Sequence, residues 1–71
     1  MTKTLKRKVI SVEEFKKTPE KRNRMFTIVY KELYGVNRIW KTFQHKTYIY
    51  DLLNNPELHQ FKIICEDVIN E

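Results

Sequence analysis

The sequence predicts an all-α fold: a small single-domain helical bundle, one short helix and three longer ones, behind a basic N-terminal arm. Three observations carry this. Thr18-Pro19-Glu20 and Asn55-Pro56-Glu57 each place a capping residue, a proline and an acid in the order that starts a helix. Ser11-Val12-Glu13-Glu14 has the spacing of a capping box. Apolar residues then recur at helical intervals through most of the chain.

Taken in order, residues 1–10 are the arm, with Lys3, Lys6, Arg7 and Lys8 unopposed by any acid. Leu5, Val9 and Ile10 pin its end to the body as a short strand or extended segment. The helical domain covers 11–71. Its first helix runs from about Val12 to Lys17, with Val12 and Phe15 inward. The second starts at Thr18-Pro19 and stops at Gly35, the only glycine, which suits a left-handed C-terminal cap. Phe26, Val29, Tyr30 and Leu33 fall at i, i+3, i+4 and i+7 and define its core face. Asn37 caps a third helix reaching Leu53. The alternative for this stretch is an α+β fold with a hairpin at 38–50, since Ile39 to Phe43 and Thr47 to Tyr50 are rich in β-formers. Gln44-His45-Lys46 supplies poor turn chemistry for that hairpin, so helix is preferred. The last helix runs from Pro56 to about Asn70, with Leu58, Phe61, Cys65, Val68 and Ile69 as its stripe.

Seventy-one residues make one domain at most. A chain that is 41% hydrophobic and 13% aromatic is too apolar to stay disordered. The lone cysteine, Cys65, rules out an internal disulfide and the usual Cys-rich zinc site. It suits a reducing cytoplasm. No apolar run reaches the length of a signal peptide or a membrane span.

Charge is the sharpest feature. Residues 1–46 hold thirteen of the fourteen Lys and Arg with four acids, and residues 47–71 hold Lys62 against five acids. A formal +9 front and −4 tail suit a chain that meets a polyanion, or an acidic protein, with one side.

Catalysis is the weakest fit. The chain has two histidines, His45 and His59, and one cysteine on an apolar stripe, where free Cys is usually a small buried hydrophobe. One glycine cannot make a phosphate loop. The expectation is a non-enzymatic protein with no cofactor and no metal.

Nucleic-acid binding is the leading expectation, with RNA, including transfer RNA, ahead of DNA because no groove-reading helix motif is visible. Lys6, Arg7, Lys8, Lys21, Arg24, Arg38 and Lys41 are the candidate phosphate contacts. Arg38, Lys41 and His45 would share a helical face, with Tyr48 beside them as a stacking partner. Neutralising about five phosphates gives a log–log salt slope near −3.5 to −4.5. The plainer account is that these are solvated faces of a protein with a high pI. A protein partner is the rival: Arg38, Trp40, Lys41 and Tyr48 have the composition of a hot spot for an acidic surface. In a small helical domain, though, a single Trp is more often a core anchor. A homodimer is a further option for so small a core.

In overall style the chain resembles the small early or accessory proteins of T-even-type tailed phages. It shares their short single domain, their Lys, Asn, Ile, Tyr and Phe bias (TYIYDLLNN, FKIICEDVINE) and their near lack of Gly and Ala. The resemblance implies a non-enzymatic modulator that redirects host machinery by binding a host enzyme, nucleic acid or transfer RNA. It lies in style rather than in a motif, so no site residue is carried over from it.

Overall fold

The all-α expectation is overturned: the chain is mostly strand. The computed structural model describes residues 3–32 and 37–70. The elements run β1 (Lys3–Ile10), α1 (Val12–Lys17), β2 (Arg24–Glu32), β3 (Arg38–Phe43), α2 (Lys46–Leu53) and β4 (Leu58–Asn70). The strands form one antiparallel sheet in the order β1-β4-β2-β3. Since β1 and β2 both run antiparallel to β4, they share a direction, with β4 between them. In the same way β3 and β4 flank β2. Each helix therefore belongs to a β-α-β crossover split by a third strand. The 13-residue β4 spans about 43 Å at ~3.3 Å per residue, close to the 44 Å long axis of the molecule.

Both helices contribute to one core on one face of the sheet. Phe15 of α1 and Ile49 of α2 are fully buried against Ile10, Phe26, Ile28, Tyr30 and Ile63. The Phe15 and Phe26 rings meet edge to face at 5.2 Å. Burying each such side chain contributes roughly 1.5–3 kcal/mol.

The capping box is as expected: the Ser11 hydroxyl accepts from the Glu14 amide at 3.1 Å and α1 follows. The second helix does not form. Thr18 ends α1 instead of starting a helix, with its hydroxyl donating to the Glu14 carbonyl at 2.6 Å and its amide turned to the same carbonyl. Pro19 then prevents continuation, as prolines after a C-cap do. Phe26, Ile28 and Tyr30 alternate into the core, and Val29 belongs to the other face. Leu33 and Gly35 lie outside the described residues. The third helix divides into β3 and a shorter α2. The 38–50 hairpin does not form either, because β3 pairs with β2. Asn55 makes an Asx turn, its side chain accepting from the Glu57 amide at 2.9 Å, and this turn launches β4 rather than a helix.

Lys46 pins the two helices together. It is buried, and its Nζ donates to the carbonyls of Lys16 at 3.1 Å and Thr18 at 2.8 Å. The ammonium also lies 4.8 Å from the centre of the Phe15 ring. A cation thus closes the negative end of α1. The residue ahead of α2, His45, gives that helix no side-chain cap. Glu20 supplies the anion from the α1–β2 connection, accepting from the Lys46 amide at 3.0 Å and pairing with His45 Nδ1 at 3.3 Å. The Lys46 amide, and then His45, hold the Glu20 carboxyl below its usual range. Among the described residues no helix is long and apolar enough to cross a membrane.

Candidate nucleic-acid interface

Side chains alternate between the two faces of a strand, and residues paired across a ladder share a face. The helices cover the face of Ile10, Phe26, Ile28 and Ile63. The opposite face carries no helix of the described chain. Leu5 and Val9 of β1, Met25 and Val29 of β2, Trp40 of β3 and Ile64 and Val68 of β4 fall on it by register. Leu5, Val9 and Trp40 are 54%, 62% and 64% exposed. Val29 at its centre is nevertheless only 5% exposed, because neighbours on both sides cover it. Thr27 and Thr42 share a hydroxyl hydrogen bond of 2.8 Å across β2 and β3 on the same face.

This open face has two ends of different character. At one end Arg7 pairs with Glu66 at 3.1 Å, among Leu5, Val9, Met25 and Val68. At the other end the register sets Trp40 opposite Val29 and Val29 opposite Lys62, with Lys31 opposite Arg38. Three cations from three adjacent strands therefore fall at the same end of this face as Trp40. The ion pairs found among the described residues involve none of these three.

The charge split of the sequence is partly consumed inside the sheet. β1 and β4 pair so that Lys6 stands opposite Asp67 and Arg7 opposite Glu66. Lys8 reaches Glu14 on α1 at 2.9 Å. Arg24 grips Asp67 with two bonds, Nε at 2.7 Å and Nη2 at 3.1 Å, and donates to the Pro19 carbonyl at 2.7 Å. The Arg24 hydrogen bonds hold the Asp67 carboxyl below its usual range and raise the Arg24 guanidinium in turn. The exposed pairs contribute about 0–1 kcal/mol each; the fork of Arg24 on Asp67, with little of its side chain exposed, is the firmer contact.

The sequence candidates accordingly disperse. Lys6, Lys8, Arg24 and Lys41 fall on the helix side of the sheet, and Arg7 and Arg38 on the open side. Lys21 lies exposed ahead of β2, at the far end of that strand from Lys31, about 23 Å away from Arg24 onward at ~3.3 Å per residue. Arg38, Lys41 and His45 share no helical face, since β3 holds the first two and alternation separates them. Tyr48 sits on α2 with its ring stacked on Phe43 at 5.3 Å. Of the hot-spot set, Arg38 and Trp40 are neighbours on the open face, and Lys41 and Tyr48 are behind it. Trp40 is not the core anchor that its rarity suggests.

Lys31, Lys62 and Gln60 are the residues that sequence reasoning passed over. The alternation Arg38-x-Trp40-x-Thr42 is the signal that points to this face once the segment is read as a strand. Cys65 lies half-buried on the helix side, packed against the core, where burial pushes its thiol up. The His59 side chain lies outside the described residues. Among the described residues no three His, Cys, Asp or Glu side chains gather as metal ligands would. No family model, curated protein or solved structure matches the chain.

Proposed function

We propose that this is a small, non-enzymatic, cytoplasmic protein that binds single-stranded nucleic acid on the open face of its sheet, RNA ahead of DNA. One observation carries the reading. Trp40, 64% exposed, stands on the sheet face that carries no helix among the described residues, with Lys31, Arg38 and Lys62 at the same end of that face. Single strands are bound by aromatic platforms for the bases and cations for the backbone. Bases splayed over an antiparallel sheet are a common mode of RNA recognition.

Trp40 is the only tryptophan, so its fluorescence reports on the site directly. Titration with short RNA and DNA oligomers at low salt should quench it saturably. Trp40→Ala should weaken binding, followed by anisotropy of a labelled oligomer, by about 5- to 150-fold, the equivalent of ~1–3 kcal/mol per stacked base. No quenching at low salt, or equal affinity of the variant, removes the reading.

The second reading is a phage-type modulator docking on an acidic host protein. It rests on Trp40 and Arg38, two residues of the kind that anchor interfaces, exposed side by side. Recovery of one defined protein with the wild-type chain after nuclease treatment, lost in Trp40→Ala, would favour it.

A further inference from the structure

We propose that the bulged end of the open face is a phosphoryl-binding cleft formed by Lys31, Arg38, Lys62 and Gln60. The proposal deepens the strand-binding reading by placing one phosphate at a fixed point beside Trp40. A cavity of about 230 Å³ lies there, lined by these four residues with Tyr30 and Phe61 among the rest. Its three cations come from three adjacent strands. Bringing like charges into one concavity is unfavourable unless an anion enters, and the same geometry focuses the field on that anion.

A second, independent observation lies in the backbone. The β2–β4 ladder pairs Tyr30 with Phe61 and then Lys31 with His59, so Gln60 is an extra residue. Its φ is 52°, the only positive value outside glycine among the described residues. A side chain with a Cβ is disfavoured in that region. Bulges bend and twist the strand that carries them, and they gather beside functional sites. Here the bulge sits at the wall of the cleft.

The cleft has room for roughly eight waters at about 30 Å³ each, and a phosphoryl group with its hydration fits that volume. Arg38 and Trp40 are two residues apart on one strand, so their Cα atoms are about 7 Å apart on the same face. A base stacked on Trp40 and its adjoining phosphate in the cleft lie within reach of one nucleotide. The phosphoryl group is either an internal diester or a terminal phosphate.

The test is an amide NMR titration with inorganic phosphate at constant ionic strength, balanced with chloride. Saturable shifts centred on Lys31, Gln60, Phe61 and Lys62 are expected. Lys62→Gln and, separately, Lys31→Gln should each weaken them at least five-fold. Oligomers with and without a 5′-phosphate then separate the two sources: tighter binding of the phosphorylated strand assigns a terminal phosphate, and equal binding an internal diester. Shifts spread evenly over Lys16, Lys17, Lys21 and Arg22, or none at all, overturn the cleft. That failure is distinct from failure of the strand reading, since oligomers would still quench Trp40. Phosphate titrating normally with no quenching by any oligomer would keep the cleft and sink the strand.

Discussion

Replacing Lys46 by methionine tests whether one buried cation holds the helical layer together. Methionine keeps most of the stem and volume and removes only the ammonium. Two charge-assisted bonds disappear, to the carbonyls of Lys16 and Thr18 at 3.1 and 2.8 Å, together with the contact on the Phe15 ring. Hydrogen bonds to charged groups contribute about 1.5–3 kcal/mol each. The carbonyls sit at the end of α1, where water replaces part of the loss, and the ammonium no longer has to be desolvated. The expected net destabilisation is therefore about 2–4 kcal/mol. A 71-residue domain has roughly 4–10 kcal/mol in total, so this is a large share. Urea unfolding should show a lower midpoint with unchanged slope, and thermal unfolding a Tm lowered by about 10–25 °C. Below the transition Trp40 still stands on the far face, so oligomer binding at low temperature should stay near that of the wild type. A Lys46→Met protein within about 0.5 kcal/mol of wild type would refute the reasoning, because substitutions with no structural role fall in that range.

Trp40→Ala should leave stability within about 0.5 kcal/mol while it weakens binding, because the ring is mostly exposed. If Lys31, Arg38 and Lys62 carry the backbone contacts, the log–log salt slope for a single strand should lie near about −2, and a slope of −4 or steeper would mean that the other basic surfaces bind as well. The Arg24–Asp67 pair makes acid stability specific. The folded Asp67 carboxyl lies below its unfolded value, so its contribution is complete above the unfolded pKa near 4 and is lost as pH falls through the lower folded value. Asp67→Asn should thus be less stable than wild type at pH 7, with the gap closing below about pH 4 in urea midpoints measured across pH.

The elements differ in how far they could be read from sequence. α1 was legible to the residue, because a capping box acts through neighbours in the chain. Leu5, Val9 and Ile10 left the start of the chain open between a short strand and an extended segment, and pairing with β4 decides for the strand β1. β2 and β4 were not legible. Both are central strands with apolar residues on both faces, as in Thr27-Ile28-Val29-Tyr30 and Ile63-Ile64-Cys65. A run that is apolar on both sides loses its period of two, and chance helical spacings such as Phe26, Val29 and Tyr30 then look significant. The Thr-Pro-Glu and Asn-Pro-Glu signals are real stops and turns, but proline after a cap ends a helix as readily as it begins one.

What the sequence by itself determined is local or additive: the α1 cap, the net charge and the lone tryptophan. Where the charges and the tryptophan lie was decided only by the tertiary structure. Strand pairing of β1 with β4 brings the basic start of the chain against Glu66 and Asp67 near its end, so much of the charge contrast is matched within the sheet. Pairing also gathers Lys31, Arg38 and Lys62 at the other end of the open face, the end that carries Trp40. Residues 31, 38 and 62 become neighbours only through a register across three strands. That register is set by which face the helices bury, a choice made by packing over the whole chain.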